Sequence, residues 1–208
     1  MKEESRSLNR LMAFTDGVVA IALTLLVLPL ADIARDAQTE SLRDMVRAHA
    51  GDFAAFVMSF TVVSLFWMVH RRVFDNLADV GEGIMLLNSA WLLGVVFLPV
   101  PTAVLTYEVN QSRGATILYM INLLFIALCG LLLSLRIRDR APLQRPGRAA
   151  AVQRGVRRGV VASLAMLVTL LAAIPLANRA LPLLALLPLV QAAAEKRAAR
   201  RSHAGPHS

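Results

Sequence analysis

The sequence predicts an all-α polytopic membrane protein with six transmembrane helices per chain and both termini cytoplasmic. Three observations carry this reading: 57% of the 208 residues are apolar, only 17% are charged, and long stretches without Lys, Arg, Asp or Glu recur along the chain. A soluble domain of this size carries about 25% charged residues, so too few polar side chains exist here to cover a surface facing water. Lipid is the solvent that fits. Basic residues outnumber acidic ones by 22 to 14, a net charge of +8. They lie between the apolar runs, so the orientation of membrane helices accounts for them without nucleic acid as a partner. The single cysteine, Cys129, excludes an internal disulfide and a cysteine-based zinc site. It sits in an apolar run and reads as an inert buried thiol.

A hydrocarbon core about 30 Å thick needs roughly 20 apolar helical residues. The first span is Leu11–Ala31, interrupted by Asp16. The second, third, fourth and fifth are Phe53–Val69, Gly83–Tyr107, Gly114–Leu135 and Gly159–Asn178, all free of charge and apolar around the full circumference. The sixth, Ala180–Ala194, is short and holds Pro182 and Pro188. A re-entrant hairpin arm is the alternative for this segment, but Asn178-Arg179-Ala180 is expected to form a tight turn before it, and helix-forming residues from Ala192 to Arg201 to extend it into the headgroups. Pro29, Pro99, Pro101 and Pro175 lie near segment ends, where a missing backbone donor costs least or marks a kink.

The connections fix the orientation. The N-terminus, Arg71–Val80, Arg136–Arg158 and the C-terminal tail together hold 17 basic residues, against 5 in the other connections. The first group therefore faces the cytoplasm. Arg136–Arg158, with Pro142, Pro146 and Gly147, is expected to be an irregular loop near anionic headgroups, setting topology rather than binding a specific lipid. Leu42, Met45, Val46 and Ala50 recur at helical spacing opposite Arg43, Asp44 and Arg47, which predicts a short amphipathic helix on the outer surface, with His49 among headgroups. Lys2, Arg6 and Arg10 before an apolar core imitate a signal peptide, but Asp16 interrupts that core and the segment is expected to be retained. One channel-sized domain over 1–201 and a mobile tail over 202–208 complete the organisation.

Arg10 and Phe14-Thr15-Asp16 place charge inside the cytoplasmic end of the first span. An aspartate within hydrocarbon costs several kcal/mol unless it has partners, so Asp16 marks a candidate site; a helix-end pair with Arg10 snorkelling is the plainer alternative. Trp67 and His70 close the second span and Asn88 lies early in the third, all at similar depth. An indole N–H, an imidazole and an amide can satisfy Asp16 and Thr15 without water.

Arg10-x-x-x-Phe14-Thr15-Asp16 at the start of the first helix, with Trp67-x-x-His70, Asn88 and Pro99-x-Pro101, resembles the R-x-x-x-F-S-D signature and its setting in the transmembrane protein 175 family, the lysosomal potassium channels and their prokaryotic homologues. The likeness covers about the first half of the chain. Thr15 stands where the family has serine and keeps the hydroxyl. The resemblance implies a potassium-selective cation channel without a carbonyl filter, not an enzyme, in the plasma membrane of a prokaryote. It implies a pore lined by the first helix and narrowed by Ile21, Leu25 and Leu28, with Thr24 between them. Arg10, Phe14, Thr15, Asp16, Trp67, His70 and Asn88 are then the network that holds that helix. Geometry agrees with the division: at 100° per residue Leu25 and Leu28 fall within about 40° of Ile21, while Thr15 and Asp16 point some 120° to 140° away. On composition alone such a stripe would be packing or lipid contact.

One helix cannot enclose a pore, so the expected assembly is a homotetramer around a shared axis. Rings of apolar side chains conduct or block by wetting and drying, and potassium passes more readily than sodium because it sheds water at lower cost. The expected partners are potassium ions, membrane lipid and three further copies of the chain; no cofactor and no fixed metal are expected. Two rival readings remain. A secondary transporter would want a midplane polar site and an internal repeat, neither of which is visible. A non-conducting structural membrane protein would show no flux.

Overall fold

The computed structural model describes residues 2–36, 41–107 and 113–176. These form α1 (Lys2–Leu25), α2 (Leu28–Asp36), α3 (Leu42–Ala48), α4 (Ala50–Phe74), α5 (Glu82–Phe97), α6 (Pro99–Tyr107), α7 (Arg113–Asp139) and α8 (Ala149–Leu176), with a 3₁₀ turn over Ala141–Leu143. Among the described residues four stretches are long and apolar enough to cross a membrane: Arg6–Asp36, Ala50–Phe74, Gly83–Leu105 and Gly114–Asp139. The charge-free run from Gly159 onward lies in α8. The sixth predicted segment, Ala180–Ala194, and the tail over 202–208 lie outside the described residues.

Prolines divide two of the spans. Pro29 has no N–H for the carbonyl of Leu25 and its ring crowds that oxygen, so α1 stops at Leu25. Val27 N reaches back only to Thr24 O, at 3.3 Å, and regular bonding resumes from Ala31 N to Val27 O at 3.1 Å. Pro99 does the same to the third span. Leu98 N turns to Val95 O at 3.2 Å, and Thr102 N picks up Leu98 O at 3.1 Å. The carbonyl of Gly94, at the last turn of α5, accepts instead from Asn122 Nδ2 of α7 at 3.0 Å. Gly94 also permits the approach that makes this bond: a Cβ there would stand 2.6 Å from Cγ1 of Ile126.

α7 is the hub, packing against α5, α6 and α8, while α1 touches chiefly α5 and α4. The main core joins Val19, Ala22 and Leu26 to Val63, Trp91, Val95, Tyr119, Leu123, Ile126 and Met166. A second cluster lies toward the predicted cytoplasmic side and joins Leu8, Val73, Phe74, Leu77, Ile84, Leu133, Ile137 and Val152. Within the main core Ser59 Oγ meets Thr102 Oγ1 at 2.9 Å and the Tyr119 hydroxyl at 3.1 Å, tying α4, α6 and α7 together.

Two connections depart in detail from the sequence reading. α3 forms as a seven-residue helix capped by Ser41, and none of its residues is buried in the protomer. His49 turns the chain directly into α4, with Nδ1 3.1 Å from Asp52 Oδ2. The expected irregular loop over Arg136–Arg158 is mostly helical: α7 runs to Asp139 and α8 starts at Ala149. Val152 and Val156 are buried at i, i+4 spacing while Arg154, Arg157 and Arg158 are exposed, which is the pattern of a helix against a core. The remaining connection is pinned. Ala78 N donates to Leu143 O at 2.8 Å, and Arg145 N to Asn76 O at 2.9 Å. Leu77 and Gln144 form an antiparallel bridge. Gln144 Nε2 then donates to the carbonyls of Ile137 and Arg138, at 3.0 and 2.9 Å, closing the end of α7.

Candidate functional site

α1 has two faces. Leu8, Thr15, Val19, Ala22 and Leu26 are buried. Arg10, Ala13, Phe14, Gly17, Ala20, Ile21, Thr24 and Leu25 are exposed, a continuous stripe at three- and four-residue spacing. Ile21 is 62% exposed and Leu28 52%. Leu28 belongs to α2, past the break at Leu26–Val27, so it continues the stripe in space but not in the same helix. Thr24 Oγ1 donates to Ile21 O at 2.7 Å. That bond uses the only hydroxyl proton, so the oxygen presents lone pairs to whatever the stripe faces.

The opposite face is held by polar contacts toward its N-terminal half. Trp67 Nε1 donates to Asp16 Oδ1 at 2.7 Å, and Arg71 Nη1 donates to Asp16 Oδ2 at 2.8 Å. Trp67 and Arg71 are one turn apart on α4, and the Arg71 guanidinium lies 5.6 Å from the indole centre. Both carboxylate oxygens thus have a donor. Thr15, fully buried, accepts from Asn88 Nδ2 of α5 at 3.0 Å. Adjacent residues of α1 are therefore fastened to two different helices, which fixes both its rotation and its tilt.

His70 is buried and stacks between Trp91, at 4.0 Å between ring centres, and Phe74, at 4.5 Å. It lies beside Asn88 and close to Asp16. Its two ring nitrogens and Asn88 Oδ1 have no hydrogen-bond partner among the described residues. Two of the motif residues stand apart. Phe14 is 62% exposed and shares the face of Ile21 rather than that of Asp16. Arg10 is exposed, and the cation paired with Asp16 is Arg71 instead. Sequence reasoning counted Arg71 only as a topological charge; its spacing of four from Trp67 was the signal that placed it on the same face. Among the described residues no three His, Cys, Asp or Glu side chains gather as a metal site would require.

Residues 10–99 match the family described as the endosomal/lysosomal potassium channel TMEM175. A potassium channel of Streptomyces collinus is 36% identical over 107 residues, covering 51% of this chain and 52% of that relative. The human endosomal/lysosomal proton channel TMEM175 is 28% identical over 91 residues, 44% of this chain and 18% of that protein. The chain therefore spans about half the length of the bacterial relative it matches and less of the human one. The crystal structure of a lysosomal potassium-selective channel TMEM175 homologue from Chamaesiphon minutus superposes with a TM-score of 0.62 at 26% identity, covering 89% of this chain and 98% of that one. These relatives are ion channels, not enzymes. The family match opens on Arg10 and closes on Pro99, so it contains both the stripe and every member of the polar network.

Proposed function

Because this chain belongs, through residues 10–99, to the TMEM175 family, we propose that it is a potassium-selective cation channel of a prokaryotic plasma membrane. It works as a homotetramer of single six-span channel domains over 1–201, with both termini and the tail over 202–208 cytoplasmic. Four copies of α1 surround the axis. Ile21, Thr24 and Leu25 line the pore, and Leu28 lines its mouth beyond the break. The observation that carries this reading is the open stripe of α1: a helix whose opposite face is tied down by ionic and hydrogen bonds leaves these apolar side chains uncovered in the protomer. Ala13, Gly17 and Ala20 on the same face are small enough for helices to approach closely near the cytoplasmic end.

In this arrangement Ile21 and Leu25 form apolar rings that exclude a hydrated cation until the pore widens enough to stay wet. The Thr24 hydroxyls supply oxygen lone pairs between those rings. Asp16 and Thr15 act as positioning residues. Five residues of helix, about 7.5 Å, separate Asp16 from Ile21, so the network sets the rotation of the ring without touching the ion. Trp67, His70 and Asn88 belong to that support, joined by Arg71, while Arg10 and Phe14 lie on the open face.

The test is cation flux from proteoliposomes, with sodium, a large impermeant cation and a proton-sensitive dye as parallel arms. Potassium efflux well above sodium efflux supports the reading. A saturable flux coupled to a counter-ion, without unitary currents, would replace the channel by a transporter, and absence of flux would leave a structural role.

A further inference from the structure

At the ends of α5 and α7, on the side predicted to be cytoplasmic, lies a cavity of about 360 Å³ lined by Gly81, Gly83, Ile84, Arg136, Arg140 and Leu143. We propose that it binds the phosphate of an anionic phospholipid headgroup, with Arg136 and Arg140 as the charged ligands.

Its depth suits a headgroup. Gly83 opens the charge-free run of the third span, and Arg136 is the first charge after that of the fourth, so the cavity straddles the boundary between hydrocarbon and water. Among the described residues its charge is uncompensated. Nearby Arg71 is paired with Asp16, Arg138 with Asp139 at 2.7 Å, and Arg145 Nε donates to Leu77 O at 2.9 Å. The side chains of Arg136 and Arg140 make no ion pair or hydrogen bond among the described residues, although two guanidinium groups in one cavity repel each other. An anion between them removes that repulsion and accepts from both forks.

The cavity is also shaped around one of these arginines. A Cβ on Gly83 would stand 3.0 Å from Nη2, 3.1 Å from Nε and 3.3 Å from Cζ of Arg136, so the guanidinium occupies the space that a side chain at this position would need. Gly81 and Gly83 bring backbone to the same wall. The first turn there bonds Ile84 N and Met85 N to Gly81 O, which leaves the N–H groups of Glu82 and Gly83 ahead of the first helical bonds. Ile84 and Leu143 supply an apolar floor for the glycerol and upper acyl carbons.

The experiment titrates the full chain in detergent with short-chain phosphatidylglycerol, phosphatidylcholine and, separately, inorganic phosphate, reading apparent affinity by native mass spectrometry. Phosphatidylglycerol should bind in preference to phosphatidylcholine. Arg136→Gln and Arg140→Gln should each weaken it about fivefold, the effect of one cation at a membrane surface. Gly83→Ala keeps both charges but displaces the Arg136 guanidinium and should weaken binding in the same direction while the protein stays folded. Arg148→Gln removes the same charge outside the cavity and should change binding less than about twofold. Equal weakening by Arg148→Gln would show diffuse surface charge instead of a site. Displacement of the lipid by inorganic phosphate would assign the cavity to a soluble anion. Either result, or equal binding of phosphatidylcholine, overturns the proposal.

Discussion

The first span, α1 with α2, and the span of α7 are nearly equally apolar, yet in their most apolar stretches 17% of the residues of the first and 50% of those of the second are buried within the protomer. Hydropathy therefore does not tell which helix forms the core. α7 is held by shape: Tyr119, Met120, Leu123 and Ile126 are almost wholly enclosed, and Gly94 lets α5 come against them. α1 adds to the packing of Val19 and Ala22 two polar ties, Asp16 to α4 and Thr15 to α5, and its other face stays open. In lipid, where apolar surface gains little by meeting other apolar surface, polar contacts can hold a helix that packing alone would not. A helix held in this way can present a whole face to something outside the protomer.

That contrast can be broken by measurement. The largest effect on stability should come from the hub: Leu123→Ala leaves a cavity in a closed core and should cost about 2–5 kcal/mol, read by thermal unfolding in detergent. Asp16→Ala strands the Trp67 indole and the Arg71 guanidinium and should cost about 2 kcal/mol, discounted because the ion pair is partly exposed. If the proposed tetramer forms, the substitution should lower its fraction on size-exclusion chromatography more than it alters the potassium-to-sodium ratio. A normal assembly with changed selectivity would mean that the two faces of α1 are reversed. Asn122→Ala orphans the Gly94 carbonyl at the bend of the third span and should cost about 1 kcal/mol. The smallest effect on stability belongs to the open stripe. Ile21→Asn should shift unfolding by less than about 0.5 kcal/mol while raising sodium permeation in bilayer recordings. Destabilisation equal to that of Leu123→Ala would show that Ile21 is packed, and unchanged selectivity would remove it from the filter.

Much of this was legible in the residues, for stated reasons. Three charge-free runs, Phe53–Val69, Gly83–Tyr107 and Gly114–Leu135, mark stretches able to cross a membrane because the bilayer leaves little other use for them, and the first span is legible despite Asp16. Trp67, His70 and Asn88 are recognisable as level with Asp16 because span ends fix depth to within a turn. What depth does not give is rotation about the helix axis. His70 lies between two aromatic rings, one of them Trp91 from another helix, while Arg71, one residue on, turns toward the carboxylate. Pro29 announces a break, but the break falls at Leu26–Val27 because the lost bond is to the carbonyl four residues earlier. The connection over 136–158 was misread because an Ala- and Arg-rich stretch looks the same whether solvated or helical. What orders its centre is backbone pairing with Asn76–Ala78, which side-chain patterns do not record.

That pairing has a consequence for biosynthesis. Leu77 and Gln144 are far apart in the chain, and translation runs from the N-terminus. The first two spans have left the ribosome before the bridge partner of the loop that follows them exists. α1, α4 and their carboxylate tie must therefore enter the bilayer and find each other unaided, and the bridge closes afterwards over a unit already in place.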